Sequence, residues 1–210
     1  MMPNLYATAE ELKARFGIGD NLDDTLVESA LDSASRAIDQ HCQRIFYVTG
    51  STTATFVATD RYRLKLADTD VWVGDIVTVT TLKTDAAGDG TFETTWAASD
   101  YQLWPANAAS GPEVRPYSEV RAVGAKLFPV PYSRSQRADR VQIVGTFGWP
   151  TAPPSAVKEA CLMLAAELFK LKDAPFGIAG WSEFGAVRIR ENPKVASLLM
   201  PYQRFSVLVG

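Results

Sequence analysis

Between Val27 and Ile45, apolar residues recur at three- and four-residue spacing: Val27, Leu31, Ala34, Ile38, Cys42 and Ile45. Leu26, Ala30, Ala37 and His41 widen the stripe, while Glu28, Asp32, Ser35, Arg36, Asp39 and Gln43 fill the opposite side. At 3.6 residues per turn this spacing makes one apolar face on a helix that begins near Asp23. Such a face must be covered, so other segments have to supply a complementary apolar surface. Ahead of it, Thr8 with Glu11 forms a capping-box pattern before a short helix that Gly17 can end.

The best partner lies near the other end of the chain. AVKEACLMLAAELFKLKD (156 to 173) carries a core stripe of Val157, Ala160, Cys161, Leu164, Leu168 and Leu171. Prolines 150, 153 and 154 stiffen the approach to it, and Pro175 ends it. Leu162 and Phe169 fall off that stripe, between Lys158 and Asp173, on what should be the wet side. Two large apolar side chains seven residues apart there predict a second buried surface. Asn192 with Pro193 starts a last short helix, and the chain finishes in FSVLVG.

From about residue 48 the period changes. TTATFVAT, RYRLKL, VWVGDIVTVTTLKT, TFETTW, YQLW and RVQIVGTFGW are rich in Thr, Val, Tyr and Trp and partly alternate. DAAGDG (85 to 90) reads as a hairpin connection. Residues 105 to 140 are weaker, with PANAASGP, a possible strand in RAVGAKLF and the basic loop SRSQRADR. The expected fold is therefore α+β: a helical bundle from the N- and C-terminal segments, 1–47 and 150–204, with a small antiparallel β unit, 48–149, inserted between them. Residues 205–210 are left as a tail.

Composition removes several classes of function. With 21 basic and 24 acidic residues the net charge is −3, which gives no general attraction to DNA or to an anionic membrane. No apolar run approaches the roughly 20 residues of a membrane span, and MMPNLYATAEELKARFG is too polar for a signal peptide. Cys42 and Cys161 fall in helical patterns and read as buried free thiols, consistent with folding in a reducing cytoplasm.

An enzymatic site finds no candidate. The single histidine, His41, sits at the edge of the helical stripe, and Cys42 beside it points elsewhere on the helix. DAAGDG lacks the ligand spacing of a calcium loop, and no phosphate-cradling glycine motif is present. No catalytic residue, cofactor or metal is expected. Arg134, Arg137 and Arg140 interleave with serine and aspartate; they read as a solvated loop or, in a rival reading, as a nucleic-acid patch without stacking aromatics.

The apolar surfaces are more informative. PFGIAGWSEFGAVRI (175 to 189) is a long connection with three glycines and three aromatics, Phe176, Trp181 and Phe184. It is either a lid over the helices or a contact between subunits, where aromatics are enriched. Leu162, Phe169 and the apolar tail favour association. Phe205, Val207, Leu208 and Val209 either add as a strand to another chain or fold back on the β unit.

Taken in order, YATAEELKARFG, AIDQHCQRIFY, VGDIVTVTTLKTDAAGDGTFETTWAASDYQLWP, WPTAPPSAVKEACLMLAAELFK and FGIAGWSEFGAVRI followed by PKVASLLMPYQR resemble the head-tail connector (adaptor) proteins of long-tailed bacteriophages. The resemblance is weakest between about 107 and 140. It implies a non-enzymatic virion neck protein folded in the bacterial host cytoplasm. Such a protein forms a ring, usually twelvefold, beneath the portal protein. It extends the DNA channel without sequence-specific binding and presents a platform to a downstream neck or stopper protein. A modestly acidic chain suits a conduit through which phosphates slide. On this reading Leu162, Phe169, Phe176, Trp181 and Phe184 face neighbouring subunits, and Phe205, Val207, Leu208 and Val209 reach the portal. The alternatives are another neck component (a stopper or tail-completion protein) and a nucleic-acid-binding module.

Overall fold

The computed structural model describes residues 4–66, 71–131, 137–170 and 192–204. The chain divides into two units, each with its own core: Met1–Gln43 with Pro153–Arg204, and Arg44–Ala152.

The first unit is helical. α1 (Ala9–Phe16) starts as its cap sequence predicts: the Thr8 hydroxyl accepts the Glu11 N–H, and the Glu11 carboxylate accepts the Thr8 N–H. Gly17 ends it in the left-handed region, at φ 67°. α2 (Asp24–Cys42) buries Val27, Leu31, Ala34, Ile38 and Cys42, as its stripe predicts. It stops short of Ile45 because Gln43 turns left-handed at φ 54°. α3 (Ser155–Lys170) lays Val157, Ala160, Cys161, Leu164 and Ala165 into the same core, and α4 (Pro193–Leu199) adds Val195 and Leu199. Fully covering a leucine or isoleucine here contributes about 1.5–3 kcal/mol. The last helix is capped by Asn192, whose side chain accepts the Val195 N–H at 3.2 Å.

The second unit holds seven strands among the described residues, arranged as two antiparallel sheets. One has the order β1 (Thr52–Val57), β7 (Asp139–Phe147), β3 (Ile76–Thr84), β4 (Thr94–Trp96). The other runs β2 (Arg63–Lys65), β6 (Glu119–Ala122), β5 (Tyr101–Trp104). Both sheets contribute to one core that includes Phe56, Leu64, Leu82, Val120 and Ile143, and the Trp96 and Phe128 rings stack at 4.7 Å. β7 faces Thr78 and Val79 through a bulge, and there Gly145 permits close backbone approach. A Cβ at Gly145 would lie 2.0 Å from the Thr78 carbonyl oxygen.

This corrects the fold expected from the sequence. The chain is a mixed α/β molecule with two antiparallel sheets, not a terminal helical bundle framing a small β unit. The underestimate arose in the weak stretch. Residues 119–122 pair with both β2 and β5 and so complete a second sheet, and Phe128 enters its core. Proline, glycine and alanine around them hide the alternation on which a sequence reading depends.

Candidate functional site

Leu162 and Phe169, singled out for lying off the main stripe of α3, are 5% and 6% exposed. Phe169 meets the Phe16 ring of α1 at a centroid distance of 5.3 Å. Phe176, Trp181, Phe184, Phe205, Val207, Leu208 and Val209 lie outside the described residues, as does Arg134.

The remaining arginines of the basic loop have structural partners. Arg137 pairs with Asp139 at 2.8 Å. Arg140 is only 4% exposed, and its guanidinium lies so close over Gly88 that a Cβ there would meet Nη2 at 1.9 Å. Beneath it the Asp85 carboxylate accepts the N–H groups of Gly88 and Gly90, closing the β3–β4 turn. Burial pushes the Asp85 carboxyl up, but the N–H groups of Gly90, Gly88 and Asp89 and the Arg140 charge outweigh it and hold the pKa below its ordinary value. These residues staple a hairpin, a use of glycine and aspartate that the turn sequence itself announces.

A buried polar cluster in the helical unit was not legible in the sequence. Asp39, on the supposed wet side of α2, is 6% exposed. It accepts a hydrogen bond from the Tyr6 hydroxyl and pairs with Arg36 at 2.8 Å. The Ser35 hydroxyl donates to the Leu31 carbonyl, accepts the Tyr6 N–H and touches Cys161 Sγ at 3.5 Å. Burial pushes Asp39 up to about 6, against the opposing pull of Tyr6 and Arg36, and pushes the Cys161 thiol up to about 11. A thiol so raised is a poor nucleophile. The cluster fastens residues before α1 to α2. His41, for its part, contacts the Gln203 side chain.

In the β unit a cleft of about 560 Å³ is lined by Arg44, Asp75, Asn107, Glu113, Arg115 and Ser118, among others. Its charges pair with one another: Arg44 Nε lies 3.6 Å from Asp75, and Arg115 lies 3.3 Å from Glu113. Among the described residues no group of three or more His, Cys, Asp or Glu side chains is placed to hold a metal ion. No helix of the described residues is long and apolar enough to cross a membrane. What the surface does offer is an exposed face on the three-stranded sheet, where the Arg121 guanidinium stacks 3.7 Å from the Trp104 ring centroid. Only the alternation of β2 and β5, read together with β6, would have found it.

Comparison with protein-family models and with curated proteins returns no match. Among solved structures, a chain in "Neck of empty GTA particle computed with C6 symmetry" is similar in fold. The likeness has a TM-score of 0.58 at 21% identity and covers 100% of this chain and 95% of that one.

Proposed function

We propose that this chain is a structural protein in the neck of a phage-like particle. In detail, it is a head-tail adaptor: a ring under the portal protein that extends the DNA channel and receives the downstream neck or stopper protein. The observation that carries the reading is the likeness in fold, along the whole chain, to a chain from the neck of a GTA particle. The ordered sequence stretches that resemble adaptors support the same assignment. A twelvefold ring contains sixfold rotation within its symmetry, so the resemblance to twelvefold adaptors is compatible with a neck computed with C6 symmetry.

In this role the connection carrying Phe176, Trp181 and Phe184 meets a neighbouring subunit, leaving α3 just after Phe169 has anchored that helix from inside. Phe205, Val207, Leu208 and Val209 add as a strand to the portal, by main-chain hydrogen bonds. The test is addition of the purified chain to filled heads assembled without it. Heads that bind the chain and then accept tails support the reading. Deleting residues 205–210 is expected to leave the thermal transition of the free chain in place while weakening co-sedimentation with those heads. Undiminished binding removes the tail from the portal contact.

A further inference from the structure

Alternation across the three-stranded sheet separates two faces. Leu64, Val120 and Leu103 share a row in register and belong to the core or pack against it. The rows on the other face are Arg63, Arg121 and Gln102, then Lys65, Glu119 and Trp104. Arg121 bonds Glu119 at 2.6 Å while stacked on Trp104, and Arg63 lies 4.0 Å from the same carboxylate. Lys65 has no ion-pair partner among the described residues, so the face keeps an excess of positive charge over one carboxylate. The result is a cationic platform around the Trp104 ring.

A surface of opposite character occurs in the helical unit. Asp20, Asp23 and Asp24 lie at the start of α2, where Lys13 pairs with Asp24 at 2.7 Å. Beside Asp20 and Asp23, Leu22, two residues ahead of the helix, is 90% exposed and Leu26 within it 50% exposed; Glu28 and Asp32 lie round the helix from Leu26.

We propose that these two surfaces meet between copies: the cationic, tryptophan-bearing face of the three-stranded sheet on one copy receives the acidic start of α2, with Leu22 and Leu26, of a second copy. Charge complementarity favours a second copy over a nucleic acid. A polyanion would satisfy Arg63 and Lys65 but would leave the two leucines exposed. Because the two patches differ, the contact is heterologous, and a heterologous contact repeats head to tail, closing a ring where its rotation divides a full turn. The leucines against Trp104 supply desolvation, and the flanking charges set orientation and encounter rate. The proposal rests on the ring reading above and gives it one specific seam.

Two full-length variants test it. Leu22→Asp with Leu26→Asp spoils the helical patch and leaves the sheet face intact. Arg63→Glu with Lys65→Glu does the reverse. All four side chains are exposed, so both variants are expected to fold, and circular dichroism checks this. In sedimentation velocity, the wild-type chain is expected to associate, with association weakening as salt rises. Each variant alone is expected to associate roughly tenfold more weakly or worse. Mixed, they retain one good contact between unlike copies and are expected to form 1:1 dimers and nothing larger. A wild-type chain that stays monomeric up to its solubility limit, variants that associate like wild type, or a mixture that stays monomeric overturns the proposal. So does a single-stranded DNA oligonucleotide that binds the sheet face of a monomeric wild-type chain. None of these results touches the neck assignment, which fails separately if heads made without the chain neither bind it nor need it.

Discussion

Asp39 shows what a single residue can carry without advertising it. A carboxylate three positions from Arg36 on a helix ordinarily reads as a solvated ion pair, and the periodicity gave it that place. The segment before α1 covers it, so its carboxyl keeps a proton up to about pH 6, against an ordinary value of 3.8. The unfolded chain therefore ionises first. Stability linked to Asp39 is fully present below about pH 3.8 and is lost as pH rises through about 6. The upper bound is about 3 kcal/mol, since each tenfold change in proton affinity is worth about 1.36 kcal/mol. Asp39→Asn keeps an acceptor for the Tyr6 hydroxyl and removes the titration. Urea unfolding across that pH range is expected to show a falling stability in wild type and a flatter profile in the variant. Parallel profiles would show that Arg36 keeps Asp39 ionised throughout.

Elements differ in how openly the sequence declares them. The cap of α1 and the stripe of α2 were legible because each depends on neighbours within one or two turns. The end of α2 was not, since Gln43 enters the left-handed region that glycine usually occupies. The second sheet was obscured for another reason: β6 is four residues long and gains its meaning only from β2 and β5, which are distant in sequence. Leu162 and Phe169 were legible as covered, but the identity of their cover was not, because a period cannot name Phe16 as the partner. Phe169→Ala is expected to destabilise the free chain by about 3–5 kcal/mol, read as a lowered denaturation midpoint. A loss below about 1 kcal/mol would mean that the Phe16 contact contributes little. In the β unit, Gly145→Ala forces a methyl onto the Thr78 carbonyl and is expected to cost on the order of 1–3 kcal/mol. An unchanged thermal transition would show that the β3–β7 bulge relaxes freely.

For the whole molecule, the surfaces are more telling than any cavity. The charges within the described cleft pair with one another, both cysteines are buried, and the histidine contacts a glutamine. Exposed instead are a cationic sheet face and an acidic, leucine-bearing helix start, the kind of paired difference that suits repeated identical contacts. The sequence resemblance pointed to a neck protein through the order of its stretches, whereas the patches needed the register of three strands to be seen. The neck role is measured most directly by cryo-electron microscopy of particles assembled with and without the chain. A closed ring of this fold between portal and tail is expected in the first, and heads without joined tails in the second. Complete, tail-bearing particles with no density for the chain would contradict it.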